Sequence, residues 1–266
     1  MMKAFANYHT HTYRCGHAIG TEEEYVRAAL DAGWQVLGFS DHIPWPYENG
    51  FSNPQTRMPL SELAEHLRIL RELRERYRDS IRLYIGFECE YFPAYLPWLR
   101  ALCAREKTDY LLLGNHFDRT DDGGLYYGVC TEPAHIRSYT ENTLLGMETG
   151  LFRYLAHPDL PLMNYPVFDG EAERMSYALC RRAKELQMPL EYNLQGVRHK
   201  QSGYAEGVGY PCAAFWRIAA ELGNTAIVGV DAHSPDALRD SAALADAYAF
   251  LDELGIRVID RLEGLS

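Results

Sequence analysis

The sequence predicts an α/β fold in which seven strand–helix repeats close into a TIM-like barrel, on three observations. Short apolar runs alternate with helical patterns along the whole chain. The runs are continuously apolar, as strands covered on both faces by helices must be. Ligand-type side chains stand at the ends of nearly all of them, where a barrel gathers its chemistry.

The strands are read at 4–8, 35–39, 82–87, 110–113, 152–156, 189–193 and 226–230. Between the first two, Thr21 and Glu24 form a capping box that opens a helix ending near Gly33. After the second, Ser61 with Glu62 opens a helix whose Leu63, Leu67, Leu70, Leu73 and Tyr77 recur at helical spacing. Further helices are read at 94–105, 133–149, 168–187, 211–222 and 236–254, and Ile256–Ile259 is either an eighth strand or a tail on the rim. The segment 43–59, with five prolines and glycines, is the longest irregular piece. Loops on the active face select substrate, so Trp45, Tyr47 and Arg57 are candidates there, with Trp45 and Trp98 read as exposed.

At 266 residues and 47% hydrophobic the chain suits one domain spanning residues 1–266. It shows no signal-peptide run and no stretch of the roughly 18 apolar residues a membrane span needs, so a soluble cytoplasmic protein is expected. The six cysteines form no C-x-x-C pair and read as reduced thiols. A formal charge of −11 opposes nucleic-acid polymers and anionic lipid, while divalent cations in a cleft would still admit a phosphorylated substrate. Neither a Gly-x-Gly-x-x-Gly turn after the first strand nor a P-loop occurs.

The strand ends read His9-Thr-His11, Ser40-Asp41-His42, Gly86-Phe-Glu88, Gly114-Asn-His116, Ala156-His157-Pro158 and Asp231-Ala-His233. His-x-His on a strand puts both imidazoles on one face, where they can grip one cation. Of the 10 histidines, only His66, His135 and His199 lie away from these ends. Imidazoles with carboxylates and no clustered thiolates suit Zn, Mn, Fe or Co. Two cations about 3.5–4 Å apart need an acidic bridge, for which Glu88 is preferred over Glu90 because Glu90 lies further past the strand end.

This ordered set, with His17, resembles the PHP (polymerase and histidinol phosphatase) family over nearly the whole chain. The segments His11-Thr-Tyr-Arg-Cys-Gly-His17, Gly86-Phe-Glu-Cys-Glu-Tyr91 and Asn193-Leu-Gln-Gly-Val-Arg198 look most like its stand-alone histidinol-phosphate phosphatases. The resemblance implies a distorted seven-stranded barrel and three divalent transition-metal ions, Zn, Mn or Fe. His9, His11, Glu88 and Asp231 would hold the first ion, Glu88, His116 and His157 the second, and His17, His42 and His233 the third. Arg198, placed in the loop after strand six, would clamp phosphate with its guanidinium fork.

The expected activity is hydrolysis of L-histidinol phosphate, in histidine biosynthesis, by a hydroxide bridging two cations. His17, His42, His233 and Arg198 would face the phosphoryl group, Asp231 would orient the hydroxide, and Asp41 would either protonate the leaving group or accept a bond from a ligating histidine. Tyr47, Tyr91, Tyr126, Tyr127, Phe117 and Glu90 could receive the imidazole and ammonium. One departure stands out: no basic residue follows His157 within His157-Pro-Asp-Leu-Pro-Leu-Met-Asn164, so Arg14, Arg119 or Arg57 could supply the second cationic contact. The alternatives are a related phosphoesterase acting on mononucleotides, other small phosphate esters or phosphotyrosine, and a non-catalytic metal-binding module.

Overall fold

The computed structural model describes residues 5–265, so Ala4 of the first predicted strand lies outside them. They form two compact units. The first comprises residues up to 111 with 230–242 and from 260 onward, and the second comprises 112–229 with 243–259.

In the first unit β1 (Ala6–Asn7) pairs parallel with β2 (Val36–Phe39), and β2 with β3 (Arg82–Cys89). Beyond the strand ends the register continues as isolated parallel bridges, Thr10 opposite Ala232 and His42 opposite Glu88. These bridges position the site. Thr10 separates His9 from His11 and Ala232 separates Asp231 from His233, so side chains of period two on both segments emerge on a common face. Two backbone bonds fix that register, His11 N to Ala232 O at 2.9 Å and Ala232 N to His9 O at 3.2 Å.

Close packing behind the strands depends on two glycines. The Tyr110 hydroxyl donates to Tyr8 O at 2.6 Å and Phe39 O at 2.9 Å. A Cβ at Gly38 would lie 2.3 Å from that hydroxyl, and one at Gly86 would lie 2.6 Å from Tyr110 O, so neither position accepts a side chain. Helix α1 (Glu22–Ala32) carries the Thr21–Glu24 capping box and ends at Gly33 in the left-handed conformation, as its sequence predicts. Helix α2 (Leu63–Tyr77) buries Leu63, Leu67, Leu70 and Leu73 together with His66, and α3 (Leu96–Glu106) completes the unit. Ser61 does not cap α2, because a 3₁₀ turn at Leu60–Glu62 leads into it.

In the second unit the last two residues of β4 (Tyr110–Leu113), then β5 (Tyr154–Leu155), β6 (Leu190–Asn193), β7 (Thr225–Gly229) and β8 (Arg257–Val258) pair parallel in chain order. The helices are α4 (Pro133–Glu148), α5 (Gly170–Glu185), α6 (Leu194–Ser202), α7 (Ala213–Glu221) and α8 (Ser241–Glu253).

Two expectations are corrected here. The described strands number eight rather than seven, because the Ile256–Ile259 run satisfies the edge of β7, with Thr225 opposite Arg257 and Ile259 N on Ala226 O at 2.8 Å. The segment after β6 is helix α6 rather than a loop: the Asn193 side chain accepts from Gly196 N at 2.9 Å, and Gly203 closes the helix in the left-handed conformation.

Candidate metal centre

In the first unit seven of the predicted ligands converge. His9 Nε2 and His11 Nε2 lie 3.1 Å apart. Glu88 Oε2 is 3.3 Å from His9 Nε2, 3.4 Å from His11 Nε2 and 3.2 Å from His42 Nδ1. Asp231 Oδ1 is 3.4 Å from His9 Nε2 and 3.1 Å from His11 Nε2. Ligand atoms of His9, His11 and Glu88, and separately of His17, His42 and His233, lie within 4.8 Å of one another.

The tautomers can be deduced where a carbonyl takes part, since a carbonyl only accepts. His17 Nδ1 faces Cys15 O and Gln55 O, both at 3.0 Å, and His233 Nδ1 faces Asp231 O at 3.1 Å. Both rings therefore carry hydrogen on Nδ1, and both Nε2 lone pairs point at each other across 3.0 Å. Two lone pairs at that distance repel unless a cation lies between them. The donor set of neutral imidazole nitrogens and carboxylate oxygens thus fits a divalent transition metal.

In the metal-free site the two carboxylates draw positive charge to the place a cation would take. Burial opposes charge on His11, but hydrogen bonds and Coulomb attraction from Asp231 and Glu88 outweigh it and raise its pKa to about 9. Burial likewise opposes the Asp231 carboxylate, yet the surrounding imidazoles hold it well below its ordinary value. Burial and the neighbouring charge of His11 drive His233 well below its usual value, leaving it neutral and able to ligate. Asp231 also sits at φ 49°, a left-handed conformation that costs of order 1–3 kcal/mol for a residue with a Cβ.

In the second unit the His116 and His157 rings pack with centroids 4.9 Å apart and planes tilted by 50°. His157, at φ 29°, donates its backbone N–H to Glu191 Oε2 at 3.0 Å, and Asn193 Nδ2 donates to the same oxygen at 2.8 Å. Gly229 leaves room for that carboxylate, since a Cβ there would lie 1.8 Å from Glu191 Oε1. Neither Glu191 nor the strained backbone is signalled by a motif. Asp159 accepts from Cys212 N at 2.6 Å, and burial pushes its carboxyl up to about 7. Arg198 lies half-buried on α6, its Nε donating to Gln195 Oε1 at 2.7 Å.

Other predicted residues take different places. Asp41 is fully buried; its Oδ1 accepts from Thr12 N at 2.7 Å and from the Thr12 hydroxyl at 3.2 Å, and its Oδ2 lies 3.5 Å from His66 Nε2. It holds the loop leading to His17. His66 in turn meets Glu22 at 3.0 Å, and its place among the leucines of α2 was the available signal that it is buried. Arg14 is bound to Glu22 at 2.6 Å and Glu62 at 3.0 Å. Arg57 is only 2% exposed and bound to Glu90, so the guanidiniums of Arg14 and Arg57 are committed to carboxylates. Arg119 donates to Gly123 O at the surface. Trp45 is buried, not exposed, because its indole N–H donates to Glu90 Oε2 at 2.8 Å, and Trp98 is half-buried. Tyr127 is buried with its hydroxyl on Ser138, whereas half-buried Tyr126 stacks on His116.

Parallel strands ending in an imidazole–carboxylate cluster define a metal-site protein on an α/β scaffold. The PHP domain model matches residues 7–194, more than half of the chain, and the chain belongs to that family. A protein of Deinococcus radiodurans named probable histidinol-phosphatase is 28% identical over 273 residues, covering 97% of this chain and 96% of its own. A probable phosphatase of a Shewanella species is 25% identical over 229 residues, 85% of this chain and 75% of its own. The fold is shared with the crystal structure of a Lactococcus lactis histidinol phosphate phosphatase complexed with zinc, L-histidinol and phosphate, at TM-score 0.72 and 17% identity, covering 96% of this chain and 95% of that one. No helix of the described residues is long and apolar enough to cross a membrane.

Proposed function

We propose that the protein is a metal-dependent phosphomonoesterase that hydrolyses L-histidinol phosphate to L-histidinol and phosphate, working as a single functional domain. The observation that carries the metal chemistry is the convergence of His9, His11, Glu88 and Asp231, with the paired Nε2 atoms of His17 and His233 beside them. Phosphatase function is supported by relatives named phosphatases that align over 85% and 97% of the chain.

Three divalent ions are assigned. His9, His11, Glu88 and Asp231 would hold the first and His17, His42 and His233 the third, while the family pattern would give the second to Glu88, His116 and His157. When bound, such ions lower the pKa of coordinated water and absorb phosphoryl charge. The chain supplies the rest. Glu88, reached by three imidazole nitrogens, would be the carboxylate shared between two ions. Asp231, kept ionised by the imidazoles, can accept a hydrogen bond from the attacking water. Arg198 offers a planar fork to two phosphoryl oxygens, and Gln195 fixes its rotamer. Asp41 is given the anchoring role rather than that of leaving-group acid, since its oxygens face Thr12 and His66.

One observation favours a different small phosphate ester: the turn after His157 carries no basic residue, and Arg14 and Arg57 are both engaged with carboxylates. Phosphate release from L-histidinol phosphate, a nucleoside monophosphate and phosphotyrosine by the Mn- or Zn-loaded protein decides. A kcat/KM for histidinol phosphate higher by about a hundredfold, equivalent to about 2.7 kcal/mol in the transition state, is expected. Equal turnover of another ester would keep the chemistry and overturn the substrate.

A further inference from the structure

We propose that the buried Arg57–Glu90 pair is a positioning device for His17, and through it for the cation held by His17, His42 and His233; this rests on the reading of that cluster as a cation site. Arg57 NH2 meets Glu90 Oε1 at 2.8 Å and its NH1 meets Glu90 Oε2 at 3.3 Å. NH1 also donates to Ile43 O at 2.8 Å, and Trp45 Nε1 reaches Glu90 Oε2 at 2.8 Å. Both ends of the 43–59 segment are thereby bolted to one carboxylate just past the end of β3. Thr56 N and Arg57 N both donate to Asn53 O at 3.0 Å, forming a tight turn that ends at the bolt.

That turn points its Gln55 carbonyl at His17 Nδ1, 3.0 Å away, and packs so closely on the preceding residue that a Cβ at Gly16 would lie 1.8 Å from Pro54 O. His17 needs this support more than its partners do. His42 pairs with Glu88 as an extension of the sheet, and His233 follows Ala232, which is registered against Thr10, whereas His17 lies in an exposed loop after a 3₁₀ turn. The Gln55 carbonyl helps keep hydrogen on Nδ1 and so aims the Nε2 lone pair at His233 Nε2. Partners one bond behind a metal ligand typically change metal affinity by about 10–100-fold.

Removing one member alone strands a buried charge, whereas neutralising both does not. The test is therefore a cobalt(II) titration of the metal-free full chain, followed by visible absorption and equilibrium dialysis, for the parent, His17→Ala, Arg57→Met with Glu90→Gln, and Arg57→Lys. His17→Ala is expected to lose one ion. The double variant is expected to melt close to the parent, keep the ions of the other ligands, bind the remaining one about tenfold more weakly, and show His17 ring nitrogen NMR signals of mixed tautomers. Parent-like affinity in the double variant, with an ion lost in His17→Ala, would overturn the positioning role alone. Full occupancy in His17→Ala would overturn the cation reading of this cluster, and the proposal with it. Should the double variant not fold, Arg57→Lys decides, because lysine keeps a charge on Glu90 but cannot hold both carboxylate oxygens and Ile43 O in a fixed plane; unchanged affinity there overturns the proposal.

Discussion

Glu88 and Glu90 stand two residues apart at the end of β3, both almost fully buried, and they face opposite kinds of partner. Glu88 faces three imidazole nitrogens at 3.2–3.4 Å, a set of groups that can stay neutral and share a cation. Glu90 faces a guanidinium that is always charged, and an indole N–H. A buried carboxylate must be paired, and the nature of its partner decides whether it becomes a ligand or an anchor. A titratable, lone-pair-bearing partner leaves room for a metal, whereas a permanent cation fills the place itself.

The largest expected effect separates the two. Glu88→Gln removes the anionic carboxylate and should lower both turnover, by at least about a hundredfold, and metal content. Phosphate release, metal content and thermal melts measured together check this, and a folded Glu88→Gln protein with its full metal content and parent-like turnover would break the contrast. Glu90→Gln should act first on stability. It leaves the Arg57 charge buried without its carboxylate partner and should cost about 3–5 kcal/mol of stability, read from denaturant unfolding.

This contrast also marks what the sequence could show. Residue type and period two place both glutamates on the same face, and preferring Glu88 rested on its nearness to the strand end. What consumes Glu90 is Arg57, 33 residues away in an irregular loop, and no local pattern encodes that pairing. The strands, the α1 capping box, the α2 stripe and the gathering of imidazoles and carboxylates at strand ends were legible because each is written in spacing or in adjacent residues. Helix α6 was missed although Asn193 and Gly203 are its ordinary start and stop, because the short apolar content of Leu194–Ser202 gives a weak period. The positive φ of Asp231 and His157, and the Glu191 contact behind His157, arise from tertiary packing and leave no local trace.

Within the ligand cluster the comparison sharpens further between His17 and His233. Their Nε2 atoms are equivalent partners across 3.0 Å, so His17→Ala and His233→Ala should each lower turnover at least about tenfold and release the same ion. Near-unchanged activity and metal content in both would overturn the assignment of the third ion.

Glu22 supplies the effect furthest from turnover, as a third buried carboxylate anchored by Arg14 and His66. Burial opposes its charge, but hydrogen bonds from His66 and Arg14 outweigh it and lower its pKa from 4.5 to about 2. A carboxylate whose folded pKa is depressed contributes stability that is fully present above its unfolded value and is lost as pH falls through its folded one. The window therefore runs from 4.5 down to about 2, and the contribution is roughly 3 kcal/mol, from about 1.4 kcal/mol per unit. Glu22→Gln should flatten the stability profile of the metal-free protein in that window by this amount without altering metal stoichiometry at neutral pH. If it instead released an ion, the chain from Arg14 and Glu22 through His66 to Asp41 and Thr12 would be setting the ligand loop as directly as the Glu90 anchor does, and the division between ligand and anchor carboxylates would have to be drawn by distance along that chain rather than by partner.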